Sequence, residues 1–477
     1  MLCKREHCRK ALRCAAPTLR SSVHAQYWTW MAHNQTGVNG YGVKQYPPED
    51  VLREALHQYA KERLTFQLTV KKSRLHELNK QCDGPSPRKP PPTDIATQAV
   101  LEKVANDVNQ ANGVRTITSL SSSEGMPLPR CDPYMSYKHS LCIYLSSDFV
   151  RTVLACHAPD GLNARFPRGK QVGRSTLSAI GPNHQHHADG FAKLNAQALQ
   201  MGGVGLDIYG IKDQWSSFLL HLVVVPNHRL AATIGHVHLD YITKYMGYFV
   251  LNIDVEAIPP TFVTDRGSET GIIFANQTAL CTVFAPNIDA NQYPPFQFLK
   301  SVHNTPIEGL WHWFLDTKGI NVKILLRSGL HDGAYHPNKS LHKQLFYWLW
   351  PKILRGELDS FVEYWNNHRI RYQKRKSNAS GTSPRHAFTL PASQGGQDCK
   401  VPVTQDVIDA LRHEIPVSRD VSMCWVSEEF GNLAERIYEE IGCPNFTLHG
   451  GWAIFQQMEE ILVDELQVDE LLYPYLR

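Results

Sequence analysis

The sequence has little of what marks a secreted or membrane protein. Its eleven cysteines are scattered over 477 residues without any Cys-x-x-Cys pair, so neither a disulfide framework nor a cysteine zinc site is indicated. No apolar run approaches the roughly eighteen residues that a membrane-crossing helix needs, and the run at 218–225 is interrupted by His221. We expect no transit peptide in the basic N-terminal stretch, because Glu6 and an irregular apolar pattern do not suit one. These absences favour a reduced, intracellular protein.

Charge is distributed unevenly along the chain. Residues 401–477 hold fifteen Asp or Glu against four Arg, a net charge of −11, which leaves +15 for residues 1–400 because the whole chain carries +4. A basic body suits a polyanionic partner such as nucleic acid, although a solvated surface would explain the same excess. We expect the acidic segment to pack outside the catalytic sheet and not to contact DNA, because a phosphate backbone would repel it.

Composition and apolar spacing divide the chain into five regions. A helix predicted at 96–111 is followed by Gly113 and by a short segment at 115–123, a rhythm that suits either a DNA-binding helix-turn-helix or plain helical packing. Another short helix is predicted at 147–156. No internal repeat is visible. The regions are a helical N-terminal region (1–80), a Pro-rich linker (81–95), a helix-turn-helix-like region (96–175), a core (176–391) and an acidic helical C-terminal region (392–477).

The core has the pattern of an α/β domain. β-rich runs at 204–211 and 218–225 precede a helical period between 226 and 247, and a short apolar strand follows at 261–263. Open sheets of this kind carry their sites at strand ends. We therefore expect functional side chains where the strands stop.

Three acidic residues stand in unusual local settings. Asp189 lies in His-His-Ala-Asp-Gly, Asp265 ends a strand in Val-Thr-Asp-Arg-Gly-Ser-Glu, and Glu308 opens a helix in Thr-Pro-Ile-Glu-Gly-Leu-Trp. Phosphodiester transfer uses two divalent ions about 3.5–4 Å apart, and Mg²⁺ prefers hard carboxylate oxygens. Carboxylates from two strands and a helix would meet that requirement.

These segments resemble the integrase core domain of retroviral and retrotransposon integrases and of DDE transposases, in the form dispersed or domesticated in fungal genomes. The motifs occur in the family's order between residues 180 and 391. They are His-Ala-Asp-Gly-Phe-Ala-Lys-Leu (187–194), Lys-Asp-Gln-Trp-Ser-Ser (212–217), Thr-Asp-Arg-Gly-Ser-Glu (264–269), Ser-Val-His-Asn-x-x-Ile-Glu-x-Leu-Trp (301–311), and Tyr-Trp-Asn-Asn-His-Arg (364–369) with Gly-Thr-Ser-Pro-Arg-His-Ala-Phe (381–388).

The resemblance implies an α/β fold with an RNase H-like integrase core, in which helices flank a five-stranded mixed sheet. It implies metal-dependent cleavage and joining of DNA, with Asp189, Asp265 and Glu308 as the catalytic residues and as ligands of Mg²⁺ or Mn²⁺. The expected partner is DNA, bound by a homo-oligomer, and the expected location is the nucleus. No membrane partner is expected.

Each acidic residue also has a plainer explanation. Asp265 could cap a turn, and Glu308 could be a solvated acid that the helix dipole stabilises. Asp213 competes with Asp189 for the first position, although the family's corresponding acid begins a neighbouring strand and is usually structural.

Two groups of residues invite a zinc site, and we expect neither to form one. His184, His186 and His187 cannot all point at one ion from a strand. The other group lacks the spacing of the family's upstream His-His-Cys-Cys module and comprises Cys3, His7, Cys8 and Cys14.

A basic run follows the motif at 364–369. It begins at His368, and we expect phosphate contacts from its members Arg369, Arg371, Lys374, Arg375 and Lys376, although the run could be a solvated helix end. By contrast, Trp311 and Leu315 follow Glu308 at helical spacing and are expected to pack in the core.

The chain departs from the integrase pattern beside its glutamate. The family places a basic residue on each side, whereas here Pro306 stands two residues before Glu308 and Gly309 directly after it. Losing two phosphate contacts would weaken the grip on DNA. The alternative function is therefore a catalytically decayed, transposon-derived protein that binds nucleic acid or acts as a scaffold.

Overall fold

The computed structural model describes most of the chain from residue 91 onward. The described residues are 91–126 except 109 and 111, then 128, 148–158, 178–246, 256–300, 303–373 and 377–469, with four isolated positions, Arg53, Glu77, Lys80 and Gln81. Several expectations lie outside the described residues: most of the helical N-terminal region (1–80) with the four residues of the zinc hypothesis, most of the linker, and Lys374, Arg375 and Lys376.

The described chain is built from helices around two small sheets. Its strands are β1 (Gln185–Phe191), β2 (Asp207–Asp213), β3 (Leu219–Val225), β4 (Ala257–Ile258), β5 (Thr261–Asp265), β6 (Phe296–Leu299) and β7 (Val401–Pro402). Its α-helices are α1 (Thr93–Ala105), α2 (Val114–Ser123), α3 (Asp148–His157), α4 (Ala196–Leu199), α5 (Ala231–Met246), α6 (Gly271–Phe284), α7 (Thr305–Phe314), α8 (Ile320–His331), α9 (Ser340–Asn367), α10 (Pro384–Thr389), α11 (Gln405–Glu414), α12 (Arg419–Ser422), α13 (Glu428–Glu440) and α14 (Gly451–Asp469).

Five strands form one mixed sheet in the order β3-β2-β1-β5-β6. The strands β1, β2 and β3 pair antiparallel, while β5 runs parallel to both β1 and β6. The predicted five-stranded mixed sheet with flanking helices is thus confirmed at this level. The edge strand β6 was not foreseen, since the Tyr-Pro-Pro stretch before it masks a strand signal.

Helices cover both faces of this sheet. Alternate residues of β1 face opposite sides. Ala188 belongs to an apolar cluster with Ile234 of α5 and Ile273 of α6, whereas Phe191 belongs to a second cluster with Leu310 of α7. Asp189, two residues before Phe191, therefore lies on the face that α7 covers.

The helices α1 to α3 form a small apolar cluster of their own. Here α1 begins at Thr93, inside the stretch 81–95 expected to be a linker, because Pro92 occupies the position before the first turn, where no backbone N–H is required. It ends at Ala105, earlier than the expected 111. Segment 115–123, the short segment of the helix-turn-helix rhythm, is helical as part of α2.

The acidic C-terminal helices share the apolar clusters of the core. Asp240 of α5 accepts hydrogen bonds from Arg412 Nη1 at 2.8 Å and from Arg419 Nε at 3.0 Å, which ties α11 and α12 to the sheet layer. Phe430 of α13 and Phe455 of α14 join the cluster that contains α9. Among the helices of the described part, none is long and apolar enough to cross a membrane.

Candidate active site

The register between β1 and β5 places Asp189 and Asp265 side by side. Gln185 pairs with Thr261 and His187 with Val263, a constant offset of 76 positions. The same offset takes Asp189 to Asp265, at the carboxyl ends of two parallel neighbouring strands. Adjacent strands are about 4.8 Å apart, so both carboxyl groups lie at one edge of the sheet. Both residues are partly exposed.

Trp311 of α7 orients the Asp189 carboxyl group. Its indole Nε1 donates a hydrogen bond to Asp189 Oδ2 at 3.0 Å, while the backbone N–H of Gly190 donates to Oδ1 at 2.8 Å. Gly210 lies opposite Asp189 on β2, and a Cβ atom there would approach the indole to 2.6 Å. The absence of a side chain at Gly210 thus lets the indole reach the acid. Trp311 is buried in the core as expected, and it also makes this polar contact.

The start of α7 is fixed to the sheet by buried polar contacts. Asn304, just before the helix, donates from Nδ2 to the Ala188 carbonyl at 3.2 Å, and its Oδ1 lies 2.7 Å from His187 Nδ1. The Lys212 ammonium of β2 donates to the Pro306 carbonyl at 2.8 Å. These contacts hold the first turn of α7, and with it the half-buried Glu308, beside β1.

The three acids interact electrostatically. The pKa of Asp189 is raised to about 7, first by burial and next by the negative charge of Asp265, with a smaller contribution from Glu308. The hydrogen bonds from Trp311 and Gly190 oppose this rise. The structure therefore brings Asp189, Asp265 and Glu308 within interaction range at one sheet edge.

A fourth acid and a tyrosine belong to the same neighbourhood. The pKa of the buried Tyr209 is raised well above its ordinary value by burial, and then by the charges of Asp189, Glu269 and Asp265. The sequence motif contained Glu269 without assigning it a role. Glu269 lies in the short helical turn Ser268–Thr270 that follows β5, and the motif spacing alone does not reveal that this turn lies near Tyr209.

The acids are close without forming a closed ligand set. Across the described residues, no group of three or more His, Cys, Asp or Glu side chains is arranged so that it could hold a metal ion. The chemistry of the donors nevertheless suits Mg²⁺ or Mn²⁺, which prefer carboxylate oxygens. A divalent cation would also relieve the repulsion that raises the pKa of Asp189.

Asp213, the alternative first acid, has a different environment. It is fully buried, and it accepts hydrogen bonds from the Asn183 backbone N–H at 2.8 Å and from the backbone N–H and hydroxyl of Ser216 at 2.7 and 2.5 Å. Burial raises its pKa to about 6, while these bonds lower it. Asp213 pairs with His186, three residues before Asp189 along β1, so it lies at the other end of that strand.

The three histidines near β1 have separate partners. His184 packs edge-on against Tyr293, His186 Nδ1 lies 2.8 Å from the Tyr241 hydroxyl, and His187 lies between Asn304 and Gln214. Burial lowers the pKa of all three. Their side chains are therefore used in packing and in positioning neighbouring elements.

The last motif begins at the end of α9 and continues beyond it, and its residues are of two kinds, those that join elements together and those that are exposed. Asn366 accepts from the Leu219 N–H at 2.8 Å and donates to the Leu219 carbonyl at 3.0 Å, which joins α9 to β3. Arg385 donates to Asn367 and Glu363. In contrast, Arg369 and Arg371 are exposed, as the phosphate-binding hypothesis requires.

The two departures from the integrase pattern differ in their surroundings. Pro306 is buried, and its carbonyl accepts the Lys212 bond. Gly309 is exposed, and a Cβ atom at this position would meet nothing within 4 Å. A longer side chain would fit at 309 without displacing a neighbour.

Comparison with known proteins adds no relative to this picture. No protein-family model matches the chain, and no curated protein matches its sequence. The resemblance to integrases therefore has no support outside the motifs themselves. Function has to be argued from the chemistry of Asp189, Asp265, Glu308 and their neighbours.

Proposed function

We propose that this chain is an integrase- or transposase-like polynucleotidyl transferase with an RNase H-like core, which cleaves and joins DNA strands in a reaction that needs Mg²⁺ or Mn²⁺. The observation that carries the proposal is the placement of Asp189 and Asp265 at the ends of two neighbouring parallel strands, with Glu308 in the first turn of the helix that covers β1. The raised pKa of Asp189 agrees with this placement, because Asp265 and, to a smaller extent, Glu308 add to the effect of burial. It means that three acids from two strands and a helix are close enough to repel one another. The mixed sheet with helices on both faces is compatible with such a core.

Crowded carboxylates are unfavourable unless they serve a cation. Like charges disfavour ionisation of their neighbours, and perturbed acids of this kind concentrate at functional sites. A purely structural acid would have hydrogen-bond donors around it, as Asp213 has. Asp189 has two donors, Trp311 and Gly190, but it also faces two acids, and this arrangement supports a cation-binding role.

The protein residues have distinct parts in the proposed reaction. Divalent ions bound by the three acids would activate the attacking oxygen and stabilise the leaving oxygen. Trp311 holds the Asp189 carboxylate in orientation, and Asn304 and Lys212 fix the helix start that carries Glu308. In cleavage, water forms the new P–O bond and a 3′-hydroxyl leaves. In joining, that 3′-hydroxyl attacks a second phosphodiester and displaces its 3′-oxygen.

A non-catalytic DNA-binding protein is the second candidate. It is favoured by Gly309, which removes a basic side chain beside Glu308, and by the lack of a closed metal-ligand group within the described residues. Such a protein would keep the exposed Arg369 and Arg371 as phosphate contacts. The proposed partner in both cases is nuclear DNA, bound by an oligomer of this chain.

The deciding experiment is strand cleavage and joining on a labelled duplex with Mg²⁺ or Mn²⁺. Wild type is compared with Asp265→Asn and with the control variant Asp464→Asn, whose parent carboxylate is exposed on α14, a helix that packs against α9 and α13. We expect activity in wild type and Asp464→Asn and none in Asp265→Asn, because an amide is a poor ligand for a hard cation. Equal signals from all three would contradict the assignment, and silence from all across metals and DNA ends would favour the second candidate.

A further inference from the structure

The solvent-facing side of α7 continues away from Glu308. Successive residues of a helix are about 100° apart around its axis. From Glu308 onward, four positions of α7 are partly or fully exposed, and in order around the axis they are Glu308, His312, Gly309 and Trp313, which span about 140°. Trp313 stands about 7.5 Å further along the helix axis than Glu308. A DNA strand that contacts both Glu308 and Trp313 therefore has to follow this arc around α7 as well as advance along its axis.

Trp313 is an exposed tryptophan held in a fixed orientation. Its ring stacks on His368 with 6.1 Å between centroids and 22° between planes, and it meets Trp365 edge-on at 6.4 Å. His368 stacks in turn on Tyr364 at 5.7 Å. With this support on one side, Trp313 still exposes 42% of its surface.

Basic and aromatic residues continue the path beyond His368. Arg369 and Arg371 are exposed, and Arg369 donates from Nε to the Gly381 carbonyl at 3.0 Å. Tyr372 is 68% exposed beside the same loop.

We propose that Trp313 is a stacking platform for an unpaired base of the DNA strand whose phosphodiester lies at the acid cluster, with Arg369 and Arg371 contacting the backbone of that strand. This inference rests on the proposed function. Every base has a π face, so aromatic rings beside a basic track are the general means of holding single strands.

The surroundings of Trp313 favour a nucleic acid over a protein partner. An exposed tryptophan in a protein-docking patch has apolar neighbours around it. Here the neighbouring exposed or half-exposed groups are His312, His368 and Arg369, with one acid, Asp316, further along the helix. The positive charge of residues 1–400 adds a long-range attraction for a polyanion.

Stacking would also replace the grip that the chain has lost. The integrase pattern holds DNA beside the glutamate through basic side chains, and Gly309 offers none. A base stacked on Trp313 would anchor the same strand with little dependence on salt. The inference thus gives a role to an exposed indole that stands near Glu308, where Gly309 supplies no basic side chain.

The test is fluorescence anisotropy of a labelled fifteen-nucleotide dT strand (a length of about 15 covers one such site), with EDTA present so that catalysis plays no part. Trp313→Ala is expected to weaken binding about tenfold, and Trp313→Phe to restore most of it, because phenylalanine also stacks. Phe274→Ala is the matched control, since Phe274 is an aromatic residue with 44% exposure on α6, across the sheet. Circular dichroism and the melting temperature establish that each variant is folded.

The outcomes separate this inference from the proposed function. Loss of binding in Trp313→Ala with recovery in Trp313→Phe supports the platform, even where wild type cleaves no DNA. Equal binding by wild type and Trp313→Ala overturns it, even where wild type cleaves DNA. Wild type that fails to bind the strand, an equal loss in Phe274→Ala, or no recovery in Trp313→Phe also overturns it.

Discussion

Replacing Asp189 with asparagine tests the acid cluster without any knowledge of the DNA substrate. The substitution keeps the shape of the side chain and an oxygen that accepts from Trp311 or from the Gly190 N–H. It removes the charge that Asp265 and Glu308 repel. In the absence of metal, we therefore expect Asp189→Asn to make the protein more stable at neutral and alkaline pH.

The magnitude follows from the raised pKa. A rise from 3.8 to about 7 corresponds to about 4 kcal/mol in the free energy of unfolding, at about 1.4 kcal/mol for each pKa unit. This is a ceiling, because solvent still reaches part of Asp189 and screens its interaction with Asp265. We expect about half of it, a gain of about 2 kcal/mol at pH 8.

The stability gained by Asp189→Asn over wild type should increase as the pH rises. Since the folded-state pKa of Asp189 lies above the unfolded value, the folded protein holds the extra proton between about pH 4 and pH 7. The stability of wild type therefore falls as the pH rises through this window, and the penalty stays constant above it. The difference between Asp189→Asn and wild type should be near zero at pH 4 and complete above pH 7.

Urea unfolding followed by tryptophan fluorescence measures this difference at pH 4, 6 and 8, with and without Mg²⁺. Mg²⁺ at ten times its dissociation constant should stabilise wild type by about 1.4 kcal/mol and Asp189→Asn much less. Asp464→Asn, at an exposed position of α14, is the control and should respond to Mg²⁺ as wild type does. Equal stability of wild type and Asp189→Asn at pH 8, or a gain that persists at pH 4, would refute the reasoning.

Three further substitutions test neighbouring features. Asp213→Asn should destabilise the protein by about 3 kcal/mol in urea unfolding, because its new amide N–H group would face donors such as Ser216; unchanged stability would contradict a structural role. Gly309→Lys should strengthen duplex binding at low salt and steepen the salt dependence by about one unit in anisotropy titrations, because a cation enters open space. Trp311→Phe removes a donor that lowers the pKa of Asp189, so metal-dependent cleavage should begin at a pH higher by up to about one unit.

The sequence was sufficient to select the acids because each occurs in a short motif with a readable local structure. Asp265 follows the apolar residues of β5, and Glu308 comes in the first turn after Pro306, as the patterns predict. The offset of 76 residues between Asp189 and Asp265 is also the register of β1 against β5. The sequence gives the separation of 76 residues but not the register, because it does not show that β1 and β5 are neighbours.

Contacts between distant segments could not be predicted in the same way. The Trp311 indole donates to Asp189 across 122 positions of the chain, and it does so because Gly210 on a third strand has no side chain. Helical spacing correctly predicted that Trp311 would be buried, but it carries no information about the indole N–H. The turn that brings Glu269 towards Tyr209 is similarly a result of tertiary packing.

Two buried aspartates in one sheet show why a shifted pKa does not by itself identify a functional acid. Burial raises the pKa of both Asp189 and Asp213. The remaining contributions differ in their order. At Asp213 three hydrogen bonds that stabilise the charge outweigh the one acidic neighbour, Asp398, which contributes least. Asp189 has two donors and also faces the charges of Asp265 and Glu308, which only a cation or a proton can offset. The choice of Asp189 as the first acid thus depends on whether its neighbours repel or stabilise its negative charge. Asp189→Asn and Asp213→Asn test this directly, because the first is expected to stabilise the protein and the second to destabilise it.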